Sequence, residues 1–255
     1  QRILGKKPDY ITRNGINNHQ DISRSQKDIL QLCRENRRKI TKFLKLFFPI
    51  KKQNVFFLTS ARYEIFTKGF DVFSQALLQL EQKLQAEKFP GTVFAFICII
   101  FGDKPAEMKI LKSFDGFFRQ NNFSQKVKKA LISTTDSKII DPFKFLKEEQ
   151  IISVLKDKGL TNSVNNKVQI VFYPTSASKK FIMPNIFNLL KINYLEMVSG
   201  VDSGIFPSFY EPWGYTPLEA ASRGVLTVTT EKTGFAEFIS GKQPKGKEGI
   251  LILKI

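Results

Sequence analysis

The chain has 255 residues with 40 Lys and Arg against 23 Asp and Glu, a net charge of +17, and 42% hydrophobic residues including 25 Phe. That much apolar material supports a sizeable core and argues against disorder. Two cysteines and one histidine are too few for a disulfide framework, a zinc site or a His-based triad.

Residues 1–20 read as loop and strand: Pro8-Asp9, Tyr10-Ile11-Thr12, then an Asn14-Gly15 turn. The opening Gln1-Arg2, in place of Met, is expected of an internal piece of a longer protein. Asp21 can cap a helix whose apolar face is Ile22, Ile29, Cys33, Ile40, Phe43 and Phe47, with Pro49 ending it. From Val55 strands and helices alternate. Val55–Thr59 is a short apolar strand, and Phe70, Phe73, Leu77, Leu80 and Leu84 mark one face of a helix. The longest apolar run, Val93 to Phe101, has the length of a buried strand and is too short to cross a membrane as a helix. With no basic-then-apolar leader, neither membrane nor export is expected. Cys98 within that run and Cys33 on the helix face read as small core residues of a reducing cytosol.

Between about 106 and 160 the alternation breaks. Met108, Leu111, Phe114 and Phe118 keep helical spacing, so a long helical insertion leaving the sheet is expected. Strand Val168–Phe172, a helix around Tyr194–Ser199 and strand Gly204–Ser208 follow. A helix over about Thr216–Arg223 and strands Val225–Thr230 and Gly249–Leu253 complete the chain. Continuous apolar strands separated by amphipathic helices predict an α/β fold, a Rossmann-like parallel sheet with helices on both faces. The Lys residues are scattered, without a dense basic run among aromatics, so no nucleic-acid partner is expected.

The segment Phe206-Pro207-Ser208-Phe209-Tyr210-Glu211-Pro212-Trp213-Gly214-Tyr215-Thr216-Pro217-Leu218-Glu219 carries the chemistry. A strand ends near Ser208, and a loop with Glu211 and Gly214 enters a helix with Pro217 in its first turn. Ligands bind at the carboxyl ends of strands in open parallel sheets, and the free amides of a helix start favour phosphate. Glu211 in the loop and Glu219 in the helix can face one ligand from different heights. Arg62-Tyr63-Glu64 and Lys68-Gly69-Phe70-Asp71 follow another strand and open a helix. A planar Arg fork and a Lys point charge six residues apart can clamp a pyrophosphate.

The Glu211–Glu219 string resembles the P-S-Y-Y-E-P-W-G-Y-T-P-x-E signature of the eukaryotic-type glycogen synthase family, and the E-x7-E pattern of retaining two-Rossmann (GT-B) glycosyltransferases. The Arg62–Asp71 stretch resembles G-R-Y-E-F-x-N-K-G-x-D of the same family, with Ala61, Ile65 and Thr67 departing from it and both cations kept. Lys7–Asn17, Asn193–Val198 and Thr229–Ala236 are similar to further family segments, in order along the chain. Arg13, Tyr173, Thr175 and Ala236 stand where the family usually has Pro, His, Glu and Gly.

The resemblance implies the C-terminal, donor-binding portion of a GT-B enzyme. Residues 1–50 would be the end of the N-terminal domain and a connecting helix, and 51–255 the Rossmann-like nucleotide-sugar domain. It implies transfer of glucose from UDP-glucose to the non-reducing end of an α-1,4-glucan with retention, without metal or other cofactor. Glu211 would sit at the transferred glucose, with Arg62 and Lys68 on the diphosphate. Tyr194 would stack on uracil, and Glu219 would hold the ribose. Trp213, Gly214, Tyr215 and Thr216 would complete the donor site, the last two through backbone amides. It further implies a cytoplasmic homo-oligomer, a tetramer assembled partly by Met108–Leu131, with glycogen and glycogenin as partners. This chain alone would bind donor without completing catalysis. A catalytically degenerate nucleotide-sugar or glycan-binding scaffold is the alternative.

Overall fold

The computed structural model describes residues 15–16, 25–45, 47–105, 107–112, 155–176, 192–241 and 249–255. The two most apolar segments, β1 (Asn54–Arg62) and β2 (Thr92–Phe101), pair in parallel from Asn54 opposite Thr92 to Arg62 opposite Ile100. Nine of the ten β2 residues are buried, which requires cover on both faces and explains an unbroken apolar run in place of alternation. On its far side β2 pairs with β3 (Val168–Ser176), the edge strand, where Pro174 is tolerated. Shorter strands β4 (Ser203–Phe206), β5 (Leu226–Thr230) and β6 (Ile250–Leu253) extend the other side, all in parallel. The order is β3-β2-β1-β4-β5-β6.

Among the described residues, the helices α1 (Gln26–Leu44), α2 (Phe70–Ala86), α3 (Tyr194–Ser199), α4 (Tyr215–Ser222) and α5 (Gly234–Gly241) accompany the sheet. From β1 the chain crosses through α2 toward β2, and from β4 through α4 toward β5, in opposite directions along the sheet. Right-handed crossovers therefore put α2 and α4 on opposite faces. Such a reversal between β1 and β4 opens a crevice at their carboxyl ends.

The core is one continuous cluster. Phe48 and Phe56 meet Phe94 edge-on at 5.3 and 5.8 Å between ring centroids, and Phe56 meets Phe96 at 6.2 Å. Ile40, Phe43 and Leu44 of α1 belong to the same cluster, and α1 packs on α3. Helix α1, which lies before the boundary expected at residue 50, thus packs on the sheet's core.

Several boundaries differ from expectation for local reasons. Ser25 and Asp28 close a reciprocal capping box, so α1 starts at Gln26 and not beside Asp21, which lies outside the described residues. The helix ends at Leu44, whose carbonyl takes both Phe47 N–H and Phe48 N–H at 2.9 Å, ahead of Pro49. Strand β1 continues to Arg62, so Arg62 ends a strand and does not open a helix. Helix α5 was not expected at all. Most of the expected insertion, and most of the expected Met108–Leu131 interface, lies outside the described residues. Of that interface, Leu111 is fully buried and Met108 packs on the core, so these two face the sheet's own interior.

Candidate active site

Three loops leave the carboxyl edge at 62–69, 207–214 and 231–233, and backbone bonds stitch them together. Thr67 O accepts Phe209 N–H at 3.0 Å and Tyr210 N–H at 3.4 Å. Gly69, at φ 69°, lies so near Pro207 that an added Cβ would stand 1.9 Å from the Pro207 carbonyl oxygen. Only glycine permits both the left-handed turn and that approach. On the other side Glu211 bridges to Thr233, Gly234 N–H donates to Glu211 O at 3.1 Å, and Phe235 N–H to Trp213 O at 2.6 Å. Thr230 Oγ1 donates to Ser208 O as well.

This stitching brings Lys68 and Glu211 together across 143 positions of sequence, with Lys68 Nζ donating to Glu211 Oε2 at 2.7 Å and to Tyr210 O at 3.4 Å. The Lys68 side chain is 3% exposed and that of Glu211 27%. A buried ammonium is tolerated only when paired, and here the carboxylate supplies the partner. Arg62, at the end of β1, is different. Its side chain is 69% exposed and only 3.7 Å from Glu64, a loose contact that leaves the guanidinium available to a ligand.

Gly214 enters α4 at φ 108° and caps it with no side-chain bond, so the first amides, at Tyr215 and Thr216, have no side-chain acceptor. Tyr215 is exposed and Thr216 half-buried. The Trp213 indole, expected at the donor, is 8% exposed and packs edge-on against Phe235 and tilted against Phe238 at 6.3 and 5.8 Å. Its ring anchors the loop to α5.

Glu219 lies one helical stretch deeper. Burial raises its carboxyl above the ordinary value, opposed by the Arg223 charge and the Tyr194 hydroxyl. Tyr194 opens α3, where Asn193 and Glu196 form a capping box. Its hydroxyl oxygen is sealed from solvent, as is Ser60 Oγ. Burial first, then Cys98 and Glu219, holds that hydroxyl well above its usual range. Ser60, Cys98, Tyr194 and Glu219 thus lie close enough to influence one another, Tyr194 with Ser60, Cys98 and Glu219, and Cys98 with Ser60 and Glu219. Among the described residues no group of three or more His, Cys, Asp or Glu could hold a metal ion.

The glycogen synthase family model matches residues 1–115 and 102–254 of the chain. The chain belongs to the glycogen synthase family. It is 27% identical to liver glycogen [starch] synthase of Mus musculus over 94% of this chain and 39% of that one. It is 26% identical to glycogen [starch] synthase of Neurospora crassa, over 92% and 38%. The Caenorhabditis elegans glycogen [starch] synthase is 25% identical over 94% and 41%. The chain thus spans about two-fifths of the length of these curated relatives. Two solved structures overlap at TM-scores of 0.45 and 0.46. They are WaaG, a glycosyltransferase of lipopolysaccharide biosynthesis (15% identity, 95% of this chain, 41% of that one), and trehalose-6-phosphate synthase OtsA (11%, 89% and 38%). At those scores the α/β assignment stands on the sheet described above.

Three of the departures from the glycogen synthase pattern, Tyr173, Ala236 and Ala61, fall in packed positions. Tyr173 is 7% exposed in β3, where burial, then Cys98 and Glu196, raises its hydroxyl. Ala236 is fully buried in the first turn of α5, its N–H donating to Thr233 Oγ1 at 3.1 Å. Ala61 packs against the core. Thr67, Thr230 and Thr233, which hold the loops together, escaped the sequence reading. A Thr in a loop carries no spacing signal of its own.

Proposed function

We propose that this chain is the donor-binding part of a retaining glucosyltransferase, which moves glucose from UDP-glucose to the non-reducing end of an α-1,4-glucan such as glycogen. The observation that carries the proposal is the Lys68–Glu211 pair, held by three stitched loops at the crevice between β1 and β4. Departure of UDP concentrates negative charge on the diphosphate. A mobile Arg62 fork and a fixed Lys68 ammonium are suited to receive it, with α4 amides at Tyr215 and Thr216 assisting. In the proposed sequence the diphosphate shares Lys68 Nζ with Glu211, and the carboxylate turns to the transferred glucose, where it orients and stabilises developing positive charge. Glu219 holds the ribose and the open edge of the Tyr194 ring meets the base. The chain's own cations take the leaving-group charge, and the reaction is proposed to need no metal. The assembled enzyme is proposed to be a cytoplasmic homo-oligomer.

The test is UDP-glucose turnover by the full-length protein with glycogen present, comparing parent, Glu211→Gln and Arg62→Ala. Both variants should lose transfer, and Arg62→Ala should also weaken UDP binding in a calorimetric titration. Unchanged transfer in both overturns the assignment, and UDP binding without any transfer by the parent establishes a binding scaffold.

A further inference from the structure

Helix α3 has only six residues, too few to hold a helix by propensity, so the ties at its two ends decide where its side chains sit. Those ends are held separately. At the C-terminal end Met197 and Val198 are fully buried. Ser199 Oγ accepts from Asn36 Nδ2 of α1 at 2.8 Å, and a Cβ on Gly200 would stand 2.6 Å from the Ile40 side chain. At the N-terminal end the ties run through Glu196. Its Oε2 accepts Asn193 N–H at 2.8 Å, while Asn193 Oδ1 accepts Glu196 N–H at 2.9 Å. Its other oxygen, Oε1, accepts from Lys39 Nζ of α1 at 2.9 Å, across 157 positions of sequence. One carboxylate therefore closes the cap of α3 and joins its first turn to α1. Burial alone would raise the Glu196 carboxyl, but the Asn193 amide and then Lys39 outweigh it and hold it below its ordinary value.

Tyr194 is the residue enclosed by this brace. It is the first residue of α3, between Asn193 and Glu196, and its ring packs against the core. The ring is half-buried with its hydroxyl oxygen sealed from solvent, and α3 touches α4, which carries Glu219. With the backbone fixed on both sides and the hydroxyl end seated, the open edge of the ring is held in one place. Loss of the brace would fray the first turn while the C-terminal half stays docked on α1. A loosened aromatic ring must be ordered again on binding, and that cost falls on a nucleobase. A diphosphate on Arg62 and Lys68 would not feel it, because those cations belong to a different loop.

We infer that Glu196 is a positioning residue of the donor site, acting through Tyr194 to favour a diphosphate that carries a nucleobase over one that does not. The inference rests on the donor-binding reading above and adds the group that sets this selectivity.

The experiment is a calorimetric titration of the full-length protein with UDP and with inorganic pyrophosphate. It is run on the parent, Glu196→Ala, Glu196→Gln, Tyr194→Ala and the double variant Glu196→Ala/Tyr194→Ala. The parent should bind UDP more tightly than pyrophosphate. Glu196→Ala should weaken UDP about fivefold, the size of one lost helix cap, and leave pyrophosphate within about twofold. Glu196→Gln should recover most of the UDP affinity, since Gln also closes capping boxes. The double variant should bind UDP no worse than Tyr194→Ala alone, because Glu196 acts through that ring. Equal weakening of UDP and pyrophosphate would mark a general loosening of the fold and overturn the inference. Failure of Gln to rescue, or additive losses in the double variant, would overturn it too. A parent that does not prefer UDP to pyrophosphate overturns the base contact at Tyr194 and this inference together. A parental preference that survives intact in Glu196→Ala overturns this inference alone.

Discussion

Removing either member of the Lys68–Glu211 pair should cost stability, but unequally. In Glu211→Ala the ammonium, 3% exposed in the parent, is left with Tyr210 O, 3.4 Å away, as its hydrogen-bond partner. Stranding a buried charge costs ~3–5 kcal/mol, and because Glu211 borders solvent, water can partly fill the gap, which brings the expectation to ~2–3 kcal/mol. Lys68→Met keeps the aliphatic stem packed and strands a carboxylate that is 27% exposed and can rehydrate. A loss of ~1 kcal/mol is expected there. The double variant removes the stranded ammonium and should lie near Lys68→Met alone, giving a coupling of about 2–3 kcal/mol. Urea denaturation measures this directly, with the midpoint shifting at constant m. Equal costs for the two single variants, or additive costs in the double, would refute the reasoning that burial of the ammonium governs the pair.

Gly69→Ala forces a side chain into the left-handed region, worth ~1–2 kcal/mol by itself, and drives its Cβ onto the Pro207 carbonyl. Urea midpoint and UDP affinity should both fall, because the loops bearing Lys68 and Glu211 must separate; a stable variant with parental affinity would contradict the stitching. Glu219 is raised above its ordinary 4.5 mainly by burial, so the folded protein holds that proton more tightly than the unfolded chain. Its contribution is complete below the ordinary value and is lost as pH rises through the raised one. Glu219→Gln should therefore gain stability relative to the parent across that window, and a pH-independent difference would show that the carboxyl is not desolvated. Burial pushes the Cys98 thiol up to about 12, and raises the half-buried Cys33 thiol too. A neutral thiol-reagent titration should modify Cys33 first and Cys98 only on unfolding, and simultaneous modification would argue against the packed β2.

What the sequence made legible was what local pattern encodes. The unbroken apolar runs of β1, β2 and β3 could only be strands covered on both faces, and their alternation with helices led to the parallel sheet. Asp21 was the expected cap, but Ser25 has Asp28 three residues on to close the box, whereas Asp21 is followed at that spacing by Arg24. Helix α5 escaped because Gly234-Phe235-Ala236-Glu237-Phe238 opens with a glycine and spans eight residues, too few for a period to show. The packing of the Trp213 ring on Phe235 and Phe238 was not legible, since it depends on the unexpected helix α5. The Lys68–Glu211 pair was the least legible feature. It depends on β1 lying beside β4, a fact of strand order that no local window contains.

That dependence also bears on what the +17 charge does. Lys68 is neutralised from within, so its charge adds little to the field outside the protein, while Arg62, and Lys51 and Lys52 just before β1, remain open to solvent. The exposed cations can raise the local concentration of phosphate-bearing molecules over distances of about a Debye length. In the proposed donor site, selection among those molecules would fall to the buried pair, whose energy salt barely screens. Attraction and discrimination are thus carried by different cations. A lysine that closes its own charge on Glu211 costs the site little solvation when unliganded, yet presents a fixed donor once a diphosphate competes for it.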